Sequence, residues 1–160
     1  MAANRVMALW QTWSARPFGK TIFSRVICWK APYFATIKPR FLEMRPGFSR
    51  VFMPKRRAVH NHIGTIHAIA LCNLAELGAG TMMEASVSPA MRWLPRGMSV
   101  QYLKKAESDV TVTCTCEDFA DGLARDVVVA CDVHDSAGAV VCHADITMYV
   151  SPKPTRTLAL

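Results

Sequence analysis

Residues 67 to 83 are almost all small or apolar, too broad a run for the single stripe of an amphipathic helix. The pattern predicts a helix buried on most sides, roughly 25 Å long at about 1.5 Å per residue. A polar loop with one glycine, His60-Asn61-His62-Ile63-Gly64-Thr65, leads into it. Beyond it, Ser86 to Pro95 contains two prolines and predicts a connection, after which the period changes to two. Met98, Val100 and Tyr102 alternate with Ser99, Gln101 and Leu103, and Val110, Val112, Cys114 and Cys116 alternate with threonines. Asp126 to Val133 is a nearly continuous apolar run, and Val140 to Val150 alternates again. Turn chemistry at Asp121-Gly122 and Asp135-Ser136-Ala137-Gly138 makes the joints short, so these four runs predict an antiparallel meander.

Upstream, Phe41 to Arg45 and Phe48 to Met53 flank Pro46-Gly47 and predict a hairpin. In residues 1 to 30, apolar side chains alternate with Arg and Lys, and Pro17 divides the run into two short amphipathic helices. Pro32 and Pro39 mark their end. The expected organisation is basic N-terminal helices over 1–40, an α+β domain over 41–152 and a tail over 153–160. Residues 1 to 30 are expected to dock by their apolar faces and to be dispensable for folding.

With 51% hydrophobic and 19% charged residues, the 160-residue chain forms one globular domain with a real core. No run approaches the 18 or more apolar residues of a membrane span, and the start lacks a secretory signal, so a cytoplasmic location is expected. The six cysteines lie in apolar strand-like or helix-like contexts and read as reduced, packed thiols. Charge is uneven: residues 1 to 57 hold 12 Lys or Arg against one acid, Glu43, while residues 58 to 160 hold 7 against 11. The basic half therefore faces something anionic or a neighbour's acidic half. Peripheral contact with an anionic membrane surface is a second reading of residues 1–30, and an Arg-rich, acid-free start also resembles an organelle transit peptide. No nucleic-acid partner is expected.

Glu76 is the one carboxylate in residues 67 to 83. A buried carboxylate must be paired, hydrogen-bonded or at a cavity edge, which makes Glu76 the first candidate for chemistry. Amides in the first turn of a helix lack intrahelical acceptors, so the N–H of Ala68 can polarise a carbonyl, and Asn61 can offer its side-chain amide to substrate or water. Each has a plain structural role as an alternative: Asn61 as a loop cap, His67 bonded to backbone, Glu76 paired with Asn73 or an Arg. His60, His62, His67 and Glu76 do not form a strong metal-ligand pattern, Cys114-x-Cys116 shares one strand face, and neither a metal nor another cofactor is expected.

The stretch Asn61-x-x-Gly64-Thr65-x-His67-Ala68, continued by Leu74-Ala75-Glu76, resembles the signature of the PaaI-type acyl-CoA thioesterases, with Asn61, His67 and Glu76 at matching spacing. The strand from Met98 to Leu103 is also similar, so the resemblance spans about residues 41 to 150, and the front helices resemble those of a bacterial branch of largely unassigned function. It implies a hotdog fold, an antiparallel sheet wrapped around one long helix. It implies hydrolysis of an acyl-CoA thioester to an acid and the CoA thiol, with Asn61, Ala68 and Glu76 as catalytic residues. Gly64 and His67 would touch substrate, and Arg56, Arg57, Lys104 and Lys105 are candidates for the CoA phosphates. Glu76 lies too far along the helix to meet Ala68 of its own chain, so the acid is expected from the partner of a homodimer, itself pairing into a homotetramer. The chain departs from the family pattern at Ala68-Ile69, where the family has Gly-Gly, and near Pro95-Arg96-Gly97, where some members place a hydroxyl. These departures favour a competing reading, a non-catalytic module that binds acyl-CoA or an acyl carrier.

Overall fold

In the computed structural model, which describes residues 4–117 and 122–154, the chain opens with two helices, α1 (Arg5–Ser14) and α2 (Gly19–Lys30), followed by a 3-10 turn over Pro32–Ile37. The hairpin β1 (Arg40–Arg45) and β2 (Phe48–Met53), a short 3-10 turn at Arg57–Val59 and the long helix α3 (Ala68–Ser86) come next. Then follow β3 (Met91–Tyr102), β4 (Val110–Thr115), β5 (Arg125–Asp135) and β6 (Val140–Pro152). The expected Asp121-Gly122 turn lies partly, and the tail beyond Pro154 wholly, outside the described residues.

The six strands form one antiparallel sheet in the order β1-β2-β4-β5-β6-β3. Only β4, β5 and β6 form a meander; β3 does not neighbour β4 but runs along β6 at the far edge. The expected four-strand meander is thus corrected. So is the connection over Ser86 to Pro95, because β3 already begins at Met91. A register shift between Pro95 and Gly97 bulges Arg96 out of the ladder, where its guanidinium lies 3.8 Å from the Tyr149 ring centroid and 3.0 Å from Asp126 Oδ1. Pro95 lacks an N–H for the ladder, so a bulge on an edge strand suits it.

The sheet wraps α3, whose buried side includes Leu71, Leu74, Leu77, Met82 and Met83. A Cβ on Gly78 would lie 2.7 Å from Cys114 Sγ and 3.2 Å from Val112 Cγ1, and Ser49 Oγ donates to the Gly78 carbonyl at 3.0 Å. Helix and sheet therefore meet backbone to side chain at this point. Gly78→Val is expected to lower the unfolding free energy by about 1–3 kcal/mol through overpacking, read as a lower denaturant midpoint. An unchanged midpoint would mean that α3 does not sit this close to β4.

The two front helices share the core. Trp10 meets Phe23 edge-to-face at 5.2 Å, and Phe23 meets Phe41 of β1 at the same spacing. Ser24 Oγ accepts from the Phe41 N–H at 2.9 Å. A bulge around Leu42 leaves that residue's carbonyl to Lys20 Nζ at 2.7 Å. Asn4 caps α1 through Val6 N–H and reaches the carbonyls of Glu84 and Val87 at the end of α3. Cys114, Cys116, Cys131 and Cys142 are buried among the strands, and Cys28 and Cys72 are half-buried.

Candidate functional site

The loop before α3 is organised by Asn61. Its Oδ1 accepts from the N–H groups of Ile63 and Thr65, both at 3.1 Å, and its Nδ2 donates to Thr65 Oγ1 at 2.7 Å. Gly64 takes φ +82, a left-handed value that a side chain would strain, and donates to the Asn61 carbonyl at 3.2 Å. The turn is Asx chemistry, and it explains why Asn and Gly stand three residues apart. Two backbone bonds staple it to the domain: Ile66 N–H to the Ala106 carbonyl at 2.9 Å and His67 N–H to the Val59 carbonyl at 2.8 Å.

His67 is the N-cap of α3, its Nδ1 accepting from Ile69 N–H at 3.1 Å. That leaves the amide of Ala68, at the positive end of a 19-residue helix, with no acceptor among the described residues. An unpaired N–H at a helix start can hold a carbonyl oxygen or an oxyanion.

Glu76 was expected to be buried; in the isolated chain it is exposed. Leu74, Ala75 and Leu77 turn inward while Ile69, Cys72 and Glu76 line the open side of α3. No ion pair holds Glu76 among the described residues, and Asn73, its suggested partner, donates instead to Thr36 Oγ1 at 3.2 Å. Eight residues of helix separate Ala68 from Glu76, a rise of about 12 Å, so one chain does not bring them together.

Glu76 faces a groove of about 450 Å³ between α3, the front helices and β3. Val6, Ile27 and Phe34 form one wall and Trp93 and Pro95 the other. Trp93 closes down on α3 because position 80 is glycine: a Cβ there would lie 2.9 Å from the indole. Its Nε1–H donates to Glu84 Oε2 at 2.9 Å. Of these wall residues Pro95 alone is singled out by the sequence, as part of the departure at Pro95-Arg96-Gly97. Trp93 was assigned to a connection, and the signal that could have found it is the alternation Met91-x-Trp93-x-Pro95, which the bulge puts out of phase with Met98 and Val100.

Two of the four cations proposed for phosphates are engaged elsewhere. The Arg56 guanidinium donates to the Thr36 carbonyl, and Lys104 pairs with Asp135 at 3.1 Å. Arg57 and Lys105 are exposed and flank the two staples at Val59 and Ala106, on either side of the Asn61 loop. The buried thiols are poor nucleophiles: desolvation pushes Cys142 up to about 11, and a hydrogen bond with Cys114, then burial, pushes Cys131 up. Tyr102, bonded to Cys72 at 3.1 Å, is pushed up to about 12, first by that bond and then by desolvation.

No curated protein matches the chain. A crystal structure from a genomics programme is 45% identical, with TM-score 0.79, and the match covers 92% of this chain and 98% of that one. A Pseudomonas aeruginosa protein of unknown function, described as a probable thioesterase, is 22% identical over 83% of this chain and 96% of its own, with TM-score 0.75. A hypothetical thioesterase from Streptococcus pneumoniae, solved with coenzyme A, is 18% identical over 87% and 100%, with TM-score 0.65. At the last two identities the likeness is one of fold. Since the family described as Domain of unknown function (DUF4442) matches residues 19–150, the chain belongs to that family, and its sheet wrapped around α3 is the hotdog fold.

Proposed function

We propose that this protein hydrolyses acyl-CoA-type thioesters across a homodimer. The observation that carries the reading is the unpaired Ala68 amide at the start of α3, beside a loop locked by Asn61. In the proposed reaction a water, relieved of its proton by the partner's Glu76, attacks the thioester carbonyl carbon. The carbonyl oxygen becomes an oxyanion held by Ala68 N–H; the C–S bond then breaks, and the CoA sulfur leaves as thiolate or takes the proton back. Direct attack by the Glu76 carboxylate, through an anhydride that water then opens, fits the same placement. Arg57 and Lys105 are the cations left to meet the CoA phosphates. The CoA in the pneumococcal relative supports the ligand class.

A dimer is supported by what one chain leaves open. β3 is an edge strand whose Leu94 and Tyr102 are each more than half exposed, as is Ile69 on the open side of α3. Two features favour a binding module without turnover: Asn61 already spends three side-chain bonds on its own loop, and Ile69 stands where the thioesterase signature has the second glycine.

The test is a panel of acyl-CoA thioesters of increasing chain length with detection of the freed thiol, on protein whose mass is followed by light scattering. Hydrolysis of at least one member by a dimer or larger assembly is expected. Saturable acyl-CoA binding without thiol release would leave the binding module, and a stable folded monomer at micromolar concentration would remove the two-chain site.

A further inference from the structure

We infer that the outward face of α2 is a docking surface for an anionic lipid bilayer, a property separate from the hydrolysis proposed above. Positions 22, 25 and 29 recur at the spacing of one helical stripe and place Ile22, Arg25 and Trp29 within an arc of about 60°, with Phe18 in the turn just before the helix. Phe18 is 83% and Trp29 85% exposed, Ile22 is 47% exposed, and Tyr33, just past the helix, is 66% exposed. Ile27 points the other way, about 160° from Trp29, into the groove that holds Glu76. So α2 has a packed face and an open aromatic one.

The turn that begins the stripe is built to hold an aromatic ring outside. Phe18 has φ 59, a left-handed backbone that a bulky side chain adopts rarely and at a cost. The turn is packed closely behind it, since a Cβ on Gly19 would lie 1.7 Å from the Trp13 carbonyl oxygen. The helical hairpin thus projects Arg16-Pro17-Phe18 at its tip, with all three exposed.

Charge selects the occupant. Residues 4 to 42 contain no acid, and Arg16, Arg25, Lys30 and Lys38 form no ion pair among the described residues. Arg25 also lines, with Lys38 and Arg40, a cleft of about 550 Å³ on the flank of α2. A second copy of the chain packed through this stripe would bury Arg25 with no local carboxylate to meet it. A bilayer fits both features at once: rings enter the headgroup region while the guanidinium and ammonium groups meet lipid phosphates.

The full-length chain should co-sediment with vesicles of mixed phosphatidylglycerol and phosphatidylcholine at about 0.1 M salt. It should be released at about 1 M, where screening is strong, and bind pure phosphatidylcholine at least tenfold more weakly. Combined Phe18→Ser and Trp29→Ser, and separately Arg25→Glu, should each lower binding to the anionic vesicles at least tenfold with the thermal melt unchanged. Absence of sedimentation with anionic vesicles overturns the inference, as does sedimentation that neither variant weakens. If the variants instead break up an assembly seen by light scattering without lipid, the stripe is an interface between copies and the inference falls. For a variant that melts early, protection of the wild-type α2 amides from hydrogen exchange on adding vesicles decides, and no protection overturns the inference.

Discussion

Glu76→Gln is expected to lower turnover of the best acyl-CoA by about a hundredfold or more, the usual weight of a positioned acid–base group, with melting and assembly nearly unchanged. The substitution keeps the shape and removes the charge. The structure supports so clean a separation, because Glu76 is exposed in the single chain and forms no ion pair among the described residues. If Glu76 instead serves a dimer seam, its loss appears in assembly or stability and activity falls only with the folded fraction. Wild-type turnover in a folded dimeric Glu76→Gln variant would take Glu76 out of the reaction. Asn61→Ala discriminates less well: it deletes three hydrogen bonds that shape the loop, so activity and local order should fall together.

The fold was legible where period and turn chemistry agree. The apolar run after the Asn61 loop became α3, and Pro46-Gly47 became the β1–β2 turn with Gly47 at φ 72. Pro17 divides α1 from α2 as expected. What failed was order in space. Four consecutive strands with short joints suggest neighbours, yet β3 leaves α3 on one side of the sheet and is carried to its far edge, a choice set by packing around the helix and invisible to local pattern. The start of β3 was missed because the Arg96 bulge shifts the alternation by one residue, so Trp93 and Val100 read as out of phase.

At the candidate site, Asn61, His67, Ala68 and Glu76 fall on the loop and helix expected for them, and the plain roles of loop cap for Asn61 and backbone partner for His67 are the ones the structure shows. His67 is a helix cap, a role that histidine fills less often than Ser, Asp or Asn, so propensity gave no hint of it. The buried state expected for Glu76 came from the apolar residues around it in sequence. Those residues point into the sheet, while Glu76 lies on the open stripe with Ile69 and Cys72, the side that a partner subunit would cover.

Removing residues 1 to 30 is expected to abolish the cooperative melt, contrary to the dispensable helices that the charge pattern and prolines suggest. Phe23 is 1% exposed and is wedged between Trp10 and Phe41, so truncation would open the ring of Phe41 and the β1 face to water. It would also strip the Phe41 N–H of Ser24 Oγ and the Leu42 carbonyl of Lys20 Nζ. Uncovering a large buried side chain costs about 1.5–3 kcal/mol, and a domain of this kind holds a margin of about 5–15 kcal/mol, so a few such losses with unmet hydrogen bonds exhaust it. A shorter truncation to residue 18 separates the two helices. It keeps α2, Phe23 and Ser24 and loses Trp10 with the Asn4 cap, so it should still melt cooperatively at a lower temperature. Calorimetry on both truncations reads the difference: a sharp transition at the full-length temperature in the longer deletion would make the helices an appendage and residue 40 a true domain boundary.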